Sequence, residues 1–210
     1  MRFFPSRLLL TLITLTLAAC ASSLPVHYHT LLPSQVATSK QTSLQVQLLV
    51  QSLRMPAEVD QPLLVLRQSD GSLAILEQEQ WGAPLADEFH NALSRNLEGL
   101  LGTAELSGLP RDDQRELLTL RIDVRRFESV PGQYTLLDAA WNLSLSRNGQ
   151  RERNITCSSL IKQPLKANTG SNGVDALVAA HQHAVILLAK QIANTARQWS
   201  AQSASNCAHG

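Results

Sequence analysis

The sequence contains few aromatic residues and no excess of charge of either sign. Aromatic side chains make up 4% of its 210 residues, and 18 basic against 17 acidic side chains leave a formal charge of +1 at pH 7. Proteins that bind nucleic acid carry a strongly basic stripe, and proteins held at anionic lipid by charge carry a basic cluster. The balanced composition argues against both classes.

Long apolar stretches are also scarce, and the one that stands out lies at the N-terminus. Arg2 and Arg7 precede an apolar run from Leu8 to Leu17 that only threonines interrupt. A positive start followed by a short apolar core is the layout of an export signal. The run is about a dozen residues long, whereas a membrane-spanning helix needs about twenty. We therefore predict that residues 1–19 are a signal peptide rather than a membrane span.

The apolar run ends in Leu17-Ala18-Ala19-Cys20, which resembles the lipobox of bacterial lipoproteins. The small residues suit a signal peptidase, and the Cys20 thiol can take a thioether-linked diacylglycerol. The resemblance implies three acyl chains on Cys20 in a Gram-negative cell, and several chains hold a protein durably on a membrane. Ala21 stands where an aspartate would signal inner-membrane retention, which favours the outer membrane, facing the periplasm. The alternative is an ordinary signal peptide with an incidental cysteine.

Cysteine is rare, and only Cys157 and Cys207 remain once Cys20 is assigned to lipid attachment. Disulfides persist in the oxidising compartment to which an export signal leads. A Cys157–Cys207 bond would tie the polar C-terminal tail, residues 200–210, back to the folded domain. The alternative is a buried Cys157 with a free Cys207 on a loose tail, since the sequence does not test the geometry that a bond requires.

Alternation of apolar and polar residues predicts a series of half-buried strands. Residues 26–33 read as an edge strand that a proline ends, and residues 34–43 as a loop. Asp70-Gly71 and Asn148-Gly149 are strong hairpin signals, because glycine accepts the positive φ that such turns need. The strands that this periodicity predicts are residues 44–50, 63–67, 73–76, 118–124, 137–145 and 155–161.

Two apolar stripes with helical spacing interrupt the strands. One begins at Pro84, a residue suited to a first helical position, and continues to Gly102. The other runs from about Val174 to Trp199, with Asn172 as a candidate N-cap. Because each stripe covers one face, we predict an α+β fold in which an antiparallel sheet carries two long helices on one face. It forms a single domain over residues 34–199, after a lipidated N-terminus and first strand at residues 20–33.

No arrangement of residues predicts catalysis or a cofactor. The sequence contains neither a G-x-S-x-G elbow nor a phosphate-binding G-x-x-x-x-G-K-[ST] loop. His27 and His29 share a strand face and form a weak metal pair without an identifiable third ligand. His181 lies on the apolar stripe, so we predict a hydrogen-bonded core histidine, and His183 points to another face of the helix. We expect neither an enzyme, a cofactor nor a metal site.

Five stretches between Tyr28 and Ile192 follow one another in a characteristic order, among them Tyr28-His29-Thr30-Leu31 and Trp81-Gly82-Ala83-Pro84-Leu85. In this order the chain resembles the ABC-type transport auxiliary lipoproteins, the PqiC/YmbA-like family, over most of its length. Four departures from the family pattern are Val59 and Gln61, where leucine and arginine are usual, and Gly82 and Ala83. The matching stretches, all in the family order, are Tyr28-His29-Thr30-Leu31, Leu53 to Arg67, Trp81-Gly82-Ala83-Pro84-Leu85, Leu120 to Phe127 with Ala140-Trp141, and Gly173 to Ile192.

The resemblance implies a periplasm-facing component of a system that moves lipids or other hydrophobic molecules between membranes. Its implied partners are an MCE-domain protein that forms a conduit, inner-membrane transport components, and further copies of the chain in a ring. Exposed strand edges suit docking, and we predict a partner or self-assembly edge at Tyr28, Thr30 and Leu32, or at residues 44–50. The alternative is an outer-membrane lipoprotein that scaffolds or activates an envelope enzyme.

Overall fold

A computed structural model of the chain describes residues 25–38, 42–165, 173–201 and Cys207. Within these ranges the chain forms two helices and seven strands. The predicted signal peptide, Cys20 with Ala21, and the candidate N-cap Asn172 lie outside the described residues.

The larger sheet has four strands in the order β2-β5-β6-β7. The pairs β5–β6 and β6–β7 are antiparallel, whereas β2 runs parallel to β5. Asn148 and Gly149 have φ of 50° and 72°, the positive values that a tight hairpin turn requires. This confirms the predicted hairpin between β6 and β7. The strands are β2 (Gln47–Arg54), β5 (Leu117–Val130), β6 (Tyr134–Arg147) and β7 (Gln150–Pro164).

The smaller sheet has three strands in the order β1-β4-β3. Strands β3 and β4 form the predicted hairpin, in which the Ser72 hydroxyl donates to Asp70 Oδ1 at 2.7 Å and fixes the turn. Strand β1 runs parallel to β4, with His27 opposite Glu79 and His29 opposite Trp81. The strands are β1 (His27–His29), β3 (Leu63–Arg67) and β4 (Leu73–Trp81).

The two helices are α1 (Leu85–Leu101) and α2 (Gly173–Ala201). They pack against each other, α1 against β2, and α2 against β6 and β7. Gly102 ends α1 with φ of 69° and donates its backbone N–H to Glu98 O, an ordinary helix C-terminus. The core lies between the helices and the larger sheet, and Phe89, Leu93 and Leu188 are fully buried in it.

Helix α2 is the one described helix that is long and apolar enough to cross a membrane by length and composition, over Gly173–Trp199. Half of its most apolar window is buried inside the fold. Its apolar face includes Val185, Leu188 and Ile192, which all belong to the hydrophobic core. The contacts of this face are those of a core helix.

The predicted α+β class, with two helices in a single domain, is confirmed. The structure adds that the strands form two mixed sheets rather than one antiparallel sheet. Alternation along a strand reports which face is buried and not the direction of its neighbour. The parallel β2–β5 pair also needs a long crossover, and here β3, β4 and α1 form that connection.

Candidate functional site

The N-terminal strand β1 is an outer strand of the smaller sheet and the first described element after the predicted lipid anchor. The carbonyl of His29 accepts a hydrogen bond from the Gly82 backbone N–H at 2.8 Å. Because backbone groups alternate direction along a strand, the N–H and C=O of Tyr28 point to the outer edge. The Tyr28 side chain is 69% exposed. Both the backbone and the side chain of Tyr28 are therefore available for contact.

The carboxylate of Glu79 on β4 joins both histidines of β1. His27 Nδ1 lies 3.1 Å from Glu79 Oε1, and His29 Nε2 lies 2.5 Å from Glu79 Oε2. Burial acts to raise the pKa of Glu79, but the hydrogen bonds from His29 and His27 outweigh it and hold this pKa below its ordinary value. The predicted histidine pair thus shares a face, and it fastens β1 to β4.

A second carboxylate, the buried Glu88 of α1, holds the residues that follow β1. The Thr30 hydroxyl donates to Glu88 Oε2 at 2.7 Å, and the Leu31 backbone N–H donates to the same oxygen at 2.9 Å. From α2, the Gln182 amide donates to the Thr30 carbonyl at 2.9 Å. Leu31 is fully buried in the core. The extended segment therefore turns inward after His29, which explains why β1 is shorter than the predicted strand.

All three residues of the predicted partner edge, Tyr28, Thr30 and Leu32, are exposed in the structure. Tyr28 is the more exposed of the apolar pair, and Leu32 is only marginally exposed. The Thr30 hydroxyl is already engaged, because it donates to Glu88 Oε2. Sequence reasoning did not find Glu79 and Glu88. Glu79 lies 50 positions from His29 in β1, and Glu88 lies 58 positions from Thr30 just after it, so no local pattern links them.

The other predicted edge, at the start of β2, is already occupied. The Leu48 carbonyl accepts from the Leu106 backbone N–H at 2.9 Å, and the Val50 N–H donates to Glu105 Oε1 at 2.8 Å. Thr103 Oγ1 also donates to the Val46 carbonyl at 2.8 Å. The segment after α1 thus covers this edge, which the alternation of β2 did not reveal.

Histidine 181 is a hydrogen-bonded core residue, as predicted. Its Nε2 lies 2.8 Å from Ser129 Oγ, and its ring stacks on Phe127 with 3.9 Å between the ring centroids. Burial lowers the pKa of His181 to about 3, so the ring is neutral at physiological pH. The Nδ1 atom has no hydrogen-bond partner in the structure. In the part of the chain that the structure describes, no carboxylate is hydrogen-bonded to this Ser–His pair, and both side chains are shielded from solvent.

Cys157 on β7 and Cys207 in the C-terminal tail are joined by a disulfide bond, with 5.8 Å between their Cα atoms. Cys157 is buried, and Cys207 packs against the core. The bond closes a loop that contains the whole of α2, at a sequence separation of 50.

No side chains in the described ranges are grouped to hold a metal ion: they contain no suitable cluster of three or more His, Cys, Asp or Glu. Asp175 Oδ1 lies 4.0 Å from His29 Nδ1, at the limit of an ion pair, and is largely exposed. The arrangement around β1 suits holding a strand in place, and Glu79 is engaged by both histidines.

The uncovered face of the larger sheet carries an open groove of about 460 Å³. Arg54 and Asp123 on its rim lie 3.9 Å apart, and Arg121 donates to Gln51 Oε1 at 3.0 Å. The groove is therefore polar at its rim, with its charged groups largely paired to one another. Its lining is Ser52, Leu53, Arg54, Arg121, Ile122, Asp123, Ala140, Trp141, Asn142 and Thr156.

The described residues form a small α+β domain in which Glu79 fastens β1 and Glu88 holds the residues that follow it. The family model described as ABC-type transport auxiliary lipoprotein component matches residues 29–193. The chain belongs to this family. Its general role is therefore that of an auxiliary lipoprotein component of transport, as the resemblance predicted.

Solved structures show the same fold. A Xanthomonas campestris protein of the DUF330 family is 22% identical, with a TM-score of 0.56 over 84% of this chain and 99% of that one. An uncharacterized protein is 20% identical, with a TM-score of 0.52 over 76% of this chain and 98% of that one. A comparison with curated proteins finds no match.

Proposed function

We propose that the protein is the periplasm-facing lipoprotein component of an MCE/ABC-type intermembrane transport system for lipids or other hydrophobic molecules. It docks the MCE-domain conduit at the outer membrane. The family match over residues 29–193 carries this proposal. The lipobox-like Leu17-Ala18-Ala19-Cys20 supports attachment through acyl chains on Cys20, five residues before the first described residue, Pro25.

The role in transport is non-catalytic. Among the described residues, Ser129 and His181 form a buried pair with the chemistry of a nucleophile and a base, at 2.8 Å. Burial keeps the histidine neutral, with its pKa lowered to about 3, and no carboxylate orients it. A catalytic dyad needs a site where substrate reaches the nucleophile together with an oxyanion donor. The packing of this pair in the core supports a structural role.

The partner contact uses the outer edge of β1. The Tyr28 backbone N–H and C=O point outward, and an outer strand offers these groups to a strand of another chain. The partner is the MCE-domain protein, and further copies of this chain in a ring use the same kind of contact. Of the two edges that the sequence suggested, the segment after α1 covers the one at β2. That leaves β1 as the docking edge.

The test is co-purification of the lipidated chain with the MCE-domain protein from its native membrane, with two substitutions at one position. Tyr28→Pro removes the outward N–H and leaves the β4 ladder intact, since proline is tolerated where a strand faces solvent. Tyr28→Ala removes the side chain and keeps the N–H. We expect Tyr28→Pro to lose the partner and Tyr28→Ala to keep it.

Equal capture by the two variants would rule out docking through the β1 edge. Circular dichroism of each purified variant checks that the domain is folded. We expect both variants to fold, because the hydrogen bond from the Leu31 backbone to Glu88 holds the chain after β1 independently of Tyr28. The identity of the captured protein tests the function itself. An envelope enzyme in place of an MCE-domain protein would favour the scaffold or activator alternative.

A further inference from the structure

Exposed apolar side chains are concentrated on one region of the molecule. Five of the seven large exposed hydrophobic residues in the described ranges lie on or next to the smaller sheet. Isolated exposed apolar residues are ordinary, but a concentration of them marks a contact surface. The five are Val26, Tyr28, Leu32, Leu73 and Ile75, and the other two are Leu109 and Leu160.

The direction of β1 places the start of the described chain, Pro25 and Val26, near this same region. Strand β1 is parallel to β4, with His27 opposite Glu79. The chain before β1 therefore leaves toward the β3–β4 hairpin end, where Leu73 and Ile75 lie. Ile75 is four residues before Glu79, a distance of no more than about 13 Å at the rise of an extended strand.

The tether to the anchor is short. Val26 lies six positions after Cys20, a separation of at most about 21 Å when the chain is fully extended. Acyl chains on Cys20 therefore keep Val26 close to the headgroups of the membrane. The 41% exposed Val26 and the 69% exposed Tyr28 are the first apolar side chains that the structure describes after the anchor.

The chemistry of the region suits a neutral lipid surface. Tyrosine is favoured at membrane interfaces, where its ring meets the acyl boundary and its hydroxyl remains hydrated. Leu73 and Ile75, 42% and 51% exposed, add aliphatic surface. The charged groups nearby, Asp70, Arg67 and Glu77, form no basic cluster, so attraction to anionic lipid contributes little.

We propose that Val26, Tyr28, Leu73 and Ile75 form a membrane-contact surface that enters the interface of the bilayer to which Cys20 is attached. This inference rests on the proposed lipid anchor and goes beyond it. The acyl chains hold the protein at the membrane, and this surface sets its orientation. The outer edge of β1 then stays at headgroup level, and the helices and the larger sheet face the periplasm.

The experiment uses the lipidated full chain in phosphatidylcholine vesicles with brominated acyl chains, which quench tryptophan on contact. The probes are Tyr28→Trp and Ile75→Trp, and the matched control is Leu160→Trp, at a position that is 67% exposed on β7. The native Trp81, Trp141 and Trp199 are buried, so they contribute a constant background. Mass spectrometry confirms acylation of every sample.

We expect quenching at positions 28 and 75 to exceed that at position 160 by at least about twofold, as for side chains buried at the interface. Raised salt or added phosphatidylglycerol should leave the difference unchanged, because the contact is apolar. Equal quenching at all three positions would overturn the inference, and so would quenching that appears only with anionic lipid.

A second copy of the chain is the competing occupant of this surface. Binding of a second copy would shift the tryptophan emission at position 28 to the blue in a way that depends on protein concentration, and the brominated lipid would not quench it. This result would also overturn the inference. The outcome is separable from that of the proposed function. If the acylated protein captures the MCE-domain partner but its tryptophans at positions 28 and 75 are not quenched, only the membrane-contact surface is ruled out. If they are quenched but the partner is not captured, only the docking role is ruled out.

Discussion

The two sheets of this molecule differ in what covers them. The larger sheet carries both helices on one face. The disulfide and the buried His181 lie on this covered side. The smaller sheet has no helix of its own, includes a strand of three residues, and exposes Tyr28 and Ile75. The larger sheet is therefore the more deeply covered part of the fold, and the smaller sheet carries the surface that we propose for contact.

Leu31 connects these two regions. It lies two residues after the end of strand β1, yet it is fully buried in the core. Its backbone N–H donates to Glu88, at the start of α1. The chain thus passes from the exposed Tyr28 into the core within three residues, and the substitutions below test how completely the core and the proposed contact surface are separated.

Leu31→Ala should have the largest effect on the free energy of unfolding. Truncating a fully buried leucine costs about 2–5 kcal/mol, from lost apolar burial and the cavity that remains. The matched control is Leu32→Ala, one residue further along and partly exposed, which should change stability by no more than about 0.5 kcal/mol. Urea denaturation of the two variants measures the difference, and similar values would break the proposed boundary between the regions.

Cys207→Ser should come next, because it opens the loop that the disulfide closes around α2. A disulfide of this kind stabilises a domain by about 2–4 kcal/mol, chiefly through the unfolded chain. Denaturation with and without reductant measures the effect. Reductant should lower the stability of the wild type to that of the variant and leave the variant unchanged. An effect of reductant on the variant would show that another group is responsible.

His181→Gln should change how stability depends on pH. The pKa of His181 is about 3 in the folded protein against 6.5 for an ordinary histidine, so the unfolded chain binds the proton more readily. Its contribution is present above pH 6.5 and is lost as pH falls toward 3, at about 1.4 kcal/mol per pH unit. Denaturation of wild type and variant from pH 7 to pH 4 measures the slope. Parallel slopes would contradict a neutral buried histidine.

Glu79→Gln should have the smallest effect, because it acts in the smaller sheet on a partly exposed contact. Contacts of this kind stabilise by no more than about 1 kcal/mol. The folded pKa of Glu79 lies below its ordinary value of 4.5, so its contribution is present above that pH and is lost as pH falls through the folded value. A variant that differs from the wild type more in strong acid than at pH 7 would contradict this account.

Local signals in the sequence predicted the elements well. The Asn148-Gly149 and Asp70-Gly71 turns, the α1 stripe and the buried His181 each depend on residues close in the chain, and the structure contains them all. The division into two sheets depends on a parallel pairing across a long crossover. Periodicity is the same for parallel and antiparallel neighbours, so this part was not predictable.

The candidate site was predicted only in part for the same reason. Tyr28, Thr30 and Leu32 are all exposed, as an edge requires, but the Thr30 hydroxyl is held by Glu88, which lies 58 positions away and which no local pattern links to it. The apolar surface at Leu73 and Ile75 joins β1 only through the parallel β1–β4 register. Contacts at such separations come from the tertiary fold.

The measurement that tests the division of roles most directly is photocrosslinking in cells. A benzophenone amino acid replaces Tyr28, Ile75 or Leu160 in the otherwise intact lipidated chain, and mass spectrometry identifies the adducts. The account predicts membrane phospholipid at positions 28 and 75, the MCE-domain protein among the adducts at position 28, and neither at position 160. Phospholipid or partner adducts at position 160, with none at positions 28 and 75, would contradict it.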